Sequence, residues 1–138
     1  MISLIIGRKG TGKTKRLIDM VNTTAASSKG NVVCIEKGQK LTFDLSHSAR
    51  LVDTELYGIN GYGELYGFLC GICAANFDVT DIFVDATLKI GGKDYNELIS
   101  FLDRVSALAE ESNTRFVFTI SSDMSELPDG IHHFATIA

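Results

Sequence analysis

The sequence predicts an α/β fold, a three-layer α/β/α sandwich on a mostly parallel sheet, formed by one domain over residues 1–138. Three observations carry this. Short runs rich in Val, Ile and Phe alternate with longer stretches whose apolar residues recur at helical spacing. Several of the short runs are continuously apolar, the pattern of buried strands. A chain of 138 residues also suits one domain, burying about two-thirds of its unfolded surface.

The elements follow in order. Ile2-Ser3-Leu4-Ile5-Ile6 is the first strand. Leu17, Ile18, Val21 and Ala25 then recur so that one helix face packs on the sheet. Ser27-Ser28-Lys29-Gly30 forms a turn, and Asn31-Val32-Val33-Cys34-Ile35-Glu36 reads as a second buried strand. Leu41, Phe43 and Leu45 alternate with Thr42 and Asp44, which predicts a short half-exposed strand, and Arg50-Leu51-Val52-Asp53 reads as another. A Gly-punctuated helix is expected over residues 63–77, where Gly67 and Gly71, one turn apart, can let a neighbouring element or subunit approach closely, with ordinary core packing as the favoured arrangement. Asp81-Ile82-Phe83-Val84-Asp85 reads as a strand, with Asp78 and Asp81 taken as solvated turn residues. A glycine-bearing loop leads to a helix over residues 94–111. There Asp94 and Glu97 have capping-box spacing, and Leu98, Leu102, Val105 and Ala109 give the buried stripe. Arg115-Phe116-Val117-Phe118-Thr119-Ile120 is a further strand. Pro128, the only proline, sits in an acidic loop before a last short strand near residues 133–137.

Composition narrows the function. A formal net charge of -4 gives no overall electrostatic footprint for nucleic acid, so none is predicted as a partner, although a local basic patch can sit within that total. The first apolar run has no basic region ahead of it and flows into a glycine-rich loop, which reads as a core strand and not a signal peptide. No run of roughly 18 apolar residues exists to span a membrane. The chain therefore reads as cytoplasmic and not membrane-inserted. Cys70-Gly71-Ile72-Cys73 has C-x-x-C spacing, but it falls late in an apolar helix and not at a helix start, where the dipole lowers a thiol pKa. His47, His132 and His133 add no matching ligand spacing, so buried core thiols are the expectation.

Gly7-Arg8-Lys9-Gly10-Thr11-Gly12-Lys13-Thr14 meets every position of the pattern G-x-x-x-x-G-K-[ST]. Chance produces that pattern about once in two hundred chains of this size. Here it also lies between a strand and a helix, as the chemistry requires. The glycines permit a tight turn whose N–H groups point inward as an anion-binding nest. Gly7, Lys9, Gly10, Thr11, Gly12, Lys13 and Thr14 are thus the candidate residues for binding a nucleoside triphosphate. Lys13 brings an ammonium to the β/γ-phosphates, the Thr14 hydroxyl can ligate Mg²⁺, and the helix starting there directs its positive end at the same anion.

Asp85 ends an apolar strand about 70 residues downstream. A carboxylate at that edge of an α/β sheet can hold Mg²⁺, commonly through water. Thr14 and Asp85 are therefore the candidate metal ligands.

These two motifs resemble those of the P-loop NTPases, specifically the RecA-like branch with an additional strand between the phosphate-loop strand and the Asp-bearing strand. The short chain is also similar to small stand-alone ATP-binding proteins. Many relatives place a catalytic Glu directly after the Mg²⁺ Asp, and this chain has Ala86 there. RecA-like members often carry the base at the end of the second strand, which implies Glu36. The resemblance further implies that Ser121 or Ser122 senses the γ-phosphate. Neither an N-K-x-D nor a D-x-x-G motif is present, so ATP is expected over GTP. Arg8, Arg50, Arg104 and Arg115 are available as inserted arginines, and spacing marks none of them.

The resulting expectation is an ATP-binding, Mg²⁺-dependent ATPase in which Lys13 and Glu36 are catalytic and turnover of the isolated chain is slow. A non-hydrolysing nucleotide-dependent switch stays open, motivated by Ala86, as does a small-molecule kinase whose lid would lie within residues 37–62. A protein partner or a homo-oligomer also stays open.

Overall fold

The computed structural model of the protein describes residues 1–137. In chain order its elements are β1 (Ile2–Gly7), α1 (Lys13–Ser27), β2 (Asn31–Glu36), β3 (Ala49–Asp53), α2 (Tyr62–Ala75) and β4 (Val79–Asp85). There follow α3 (Thr87–Gly91), α4 (Tyr95–Ser112), β5 (Arg115–Ser121), two 3-10 turns at Met124–Glu126 and Asp129–His133, and β6 (Ala135–Thr136). The strands form one six-stranded sheet in the order β3-β2-β4-β5-β1-β6, and every pairing is parallel. Thus β5 is inserted between β1 and β4.

Alternation along the strands divides two cores. Leu4, Val33, Ile35, Ile82, Val84, Phe116 and Phe118 point to the face covered by α2, α3 and α4. Ile5, Val32, Cys34, Phe83 and Val117 point to the opposite face, where Leu17 and Val21 of α1 pack. Apolar residues at consecutive strand positions are thereby explained, since both faces of the sheet are covered.

The same alternation sets where the polar strand ends go. Glu36 lies two positions after Cys34, Asp85 two after Phe83, and Thr119 and Ser121 follow Val117 at the same spacing. All four therefore share the α1 side of the sheet at its C-terminal edge, the edge where α/β sheets collect ligands.

Several expectations need correction. Residues 41–45 form a helical turn and not a strand: the Leu45 N–H donates to the Leu41 carbonyl at 3.2 Å. Leu41 and Leu45 are buried one turn apart, while Phe43 is 98% exposed. Two apolar residues four apart satisfy either period. Asp81 is no solvated turn residue. It lies inside β4, is buried, and faces Arg115 at 3.7 Å on the neighbouring strand. Gly67 and Gly71 approach nothing closely, and Cys70 and Cys73 are half-buried, not fully buried. The glycine-bearing loop after Asp85 contains the short helix α3, which the sequence reading missed.

At α4 the cap is as expected on one side. The Asp94 carboxylate accepts from the Asn96 and Glu97 N–H groups at 3.0 and 3.1 Å, satisfying two donors the helix leaves free. We expect Asp94→Ala to lower stability by about 1 kcal/mol, and thermal unfolding should show a midpoint drop of roughly 4 °C.

Candidate functional site

The loop from β1 to α1 takes its shape from two glycines. Gly10 and Gly12 have φ of 85° and 87°, a left-handed backbone that only glycine adopts without cost. The loop closes on one carbonyl. Arg8 O accepts from Thr11 N at 3.3 Å, Thr11 Oγ1 at 2.7 Å and Lys13 Nζ at 2.8 Å. A second tie runs from Arg8 to Asp123, 2.6 Å from Nη2 and 2.9 Å from Nε. It pins the loop beside the end of β5. Backbone donors from Ser125, then Arg8, hold the Asp123 carboxyl below its usual range.

Gly12 caps α1 with no side-chain hydrogen bond, and the first turn carries no acidic residue. Lys13, Lys15 and Arg16 stand there instead. Cations at a helix N-terminus oppose its dipole, and the free N–H groups of that turn have no side-chain acceptor. The contrast with the Asp94 cap of α4 is local. An oxyanion bound at this turn would satisfy both the donors and the lysines.

Asp85 lies opposite that turn. Its carboxylate accepts from Thr119 Oγ1 at 2.5 Å, and Thr14 Oγ1 is 3.3 and 3.4 Å from its two oxygens. The residue is 8% exposed. Burial lowers the Lys13 pKa, and the Asp85 charge pulls it partly back. The pair Thr14 and Asp85 therefore offers two oxygens to a hard cation. That fits Mg²⁺, which keeps several waters and takes one or two protein oxygens plus substrate phosphates. Among the described residues no group of three His, Cys, Asp or Glu side chains is placed to hold a metal.

Glu36 is the register partner of Asp85 on the adjacent strand. It is 4% exposed, which sets it apart from an open turn carboxylate. Its Oε1 accepts from the Leu41 N–H at 3.1 Å. Burial raises its pKa, the Leu41 donor opposes that, and the charges of Asp85 and Asp53 add to the rise. Asp53, next along the edge on β3, is occupied: it accepts from Gly38 N at 2.8 Å and Glu55 N at 2.9 Å.

A cavity of about 670 Å³ joins these parts. Of the sequence-predicted residues, Lys9, Gly10, Gly12, Lys13, Thr14, Glu36 and Asp85 line it together with Ser121, whereas Gly7 and Thr11 stand outside the lining. Ser122 turns away to Tyr95 Oη at 2.9 Å. Sequence reasoning missed Thr119, whose signal was a lone hydroxyl in an apolar strand. It also missed that seven of the eight lysines line this one cavity, all but Lys29.

Three of the four arginines considered above are engaged: Arg8 with Asp123, Arg115 with Asp81, and Arg104 at 3.9 Å over the Tyr66 ring. Among the described residues no helix is long and apolar enough to cross a membrane. In comparisons with known proteins, no family model and no curated protein matches this chain.

Proposed function

We propose that this chain is a P-loop NTPase of the RecA-like type that binds ATP with Mg²⁺ and hydrolyses it slowly. The observation that carries the reading is the convergence of an uncapped, basic helix start with the Thr14 and Asp85 oxygens 3.3 Å apart. The insertion of β5 between β1 and β4 supports the additional-strand assignment.

In this reading, the amides of residues 9–14 and the Lys13 ammonium hold the β- and γ-phosphates. Lys13 leaves the Arg8 carbonyl to do so. Mg²⁺, when bound, supplies charge neutralisation between the phosphate oxygens. Thr14 and Asp85 are the residues that would hold it, and Thr119 keeps the Asp85 carboxylate oriented. Glu36 orients the attacking water and accepts its proton, a role its raised pKa suits. Ser121 stands in the cavity lining where a γ-phosphate contact is expected.

The Leu41 to Glu36 hydrogen bond favours a second reading, a nucleotide-dependent switch. One oxygen of the base is tied to the loop after β2, so occupancy of the site is coupled to that loop.

The test is equilibrium binding of ATP, ADP and GTP with and without Mg²⁺ in the parent and in Asp85→Asn. We expect ATP to bind more tightly with Mg²⁺ in the parent, and the variant to lose roughly tenfold in Mg²⁺-dependent affinity while keeping its metal-free affinity. Equal effects with and without metal would remove Asp85 from the metal site.

A further inference from the structure

We propose that the cavity contains a second anion subsite beside Glu36, formed by Lys37, Lys40, Lys89 and Lys93, which takes a small phosphorylated molecule together with the nucleotide. The inference rests on the nucleotide reading above for the identity of the first ligand.

The charge distribution is the first support. The chain carries a net charge of -4, yet seven of its eight lysines line one cavity in which, among the described residues, Glu36 and Asp85 are the only carboxylates. That leaves five formal positive charges in a protein that is acidic overall. Among the described residues both ion pairs use arginine, so none of these lysines is in ion-pair contact, although the Lys40 charge acts on Glu36 from a distance. A nucleoside triphosphate with its Mg²⁺ carries a net charge of roughly -2. The nucleotide therefore leaves most of the cluster uncompensated, and like charges gathered in a concave wall raise the local concentration of anions.

Position is the second support. Lys9, Lys13 and Lys15 belong to the β1 loop and the start of α1. Lys37 and Lys40 follow β2, Lys89 lies in α3, and Lys93 lies between α3 and α4. The Lys37 ammonium donates to the Lys89 carbonyl at 3.4 Å, which brings the β2 loop and α3 together. In the sheet β2, which leads into Lys37 and Lys40, is three places from β1, about 14 Å, and β4, which leads into Lys89 and Lys93, is two places from it, about 10 Å. Glu36 stands on the β2 side. A cavity of about 670 Å³ falls in the range of small-ligand sites, and its concavity suits a compact oxyanion over an extended polymer.

Calorimetric titration of protein saturated with Mg²⁺ and ATPγS tests the proposal, with inorganic pyrophosphate as the probe. About one further equivalent of pyrophosphate is expected to bind. Lys40→Gln combined with Lys93→Gln should weaken it at least tenfold while changing ATPγS affinity less than twofold. Both side chains are exposed, so the double variant should fold as the parent does. Absence of pyrophosphate binding to the saturated protein would overturn the proposal. So would an equal loss of both ligands in the double variant, which would assign these lysines to the nucleotide. A single-stranded oligonucleotide that binds more tightly than pyrophosphate through the same lysines would replace the small ligand by a polymer. If ATPγS does not bind while pyrophosphate still depends on Lys40 and Lys93, the nucleotide reading fails and the second subsite stands.

Discussion

Replacing Lys13 by alanine is expected to lower ATP affinity by about 10- to 100-fold, the loss of a charge-assisted contact to phosphate. The fold should survive the change. Lys13 is 9% exposed, and burial lowers its pKa from the ordinary lysine value. A lysine with a depressed folded pKa favours folding only at high pH; as pH falls through that pKa, its ammonium must be charged in a buried place. At neutral pH the ammonium is therefore a cost, offset in part by the Asp85 charge and by its hydrogen bond to the Arg8 carbonyl. The variant should melt within roughly 3 °C of the parent, so lost binding can be read as lost contact. Calorimetric titration alongside thermal unfolding checks both halves. Undiminished affinity would remove Lys13 from the site.

Glu36→Gln should reduce phosphate release by roughly 10²- to 10⁴-fold, the range for loss of a general base, while ATP affinity changes little. Glutamine keeps an oxygen to accept the Leu41 N–H, so the loop after β2 stays anchored. The pKa of Glu36 is raised chiefly by burial. A carboxyl whose folded pKa is raised contributes stability below its unfolded pKa, and that contribution is lost as pH rises through the folded pKa. Near neutral pH the ionised side chain is thus destabilising, and the amide should raise the melting temperature there. Below the ordinary carboxylate range, parent and variant should converge. Hydrolysis by the parent should accordingly rise with pH, with a midpoint above the usual carboxylate range. If the variant releases phosphate at the parent rate, Glu36 is not the base and the switch reading gains.

How much of this was legible in the sequence depended on distance along the chain. The loop 7–14 was legible because its chemistry is contiguous and two of its glycines, Gly10 and Gly12, sit where the backbone turns left-handed. Glu36 and Asp85 were legible as the polar ends of apolar runs, and strand register then made them neighbours. Thr119 was not, because its role depends on β5 lying between β1 and β4, an order that the family resemblance implied but that no local pattern ties to this hydroxyl. The lysines were hidden in the same way: the total charge is acidic, and four separate segments bring them together. Residues 41–45 misled because the period of two and the spacing of four coincide over so short a span. Asp81 was misplaced because a buried charge in a strand makes sense only with Arg115 beside it.

A crystal structure grown with Mg²⁺ and ATPγS tests the central claim most directly. The account predicts triphosphate density against the amides of Gly10, Gly12 and Lys13, the Lys13 ammonium moved from the Arg8 carbonyl onto a phosphate, and a metal between Thr14 and Asp85. Nucleotide bound elsewhere, or a loop still closed on Arg8 at saturating ligand, would contradict it.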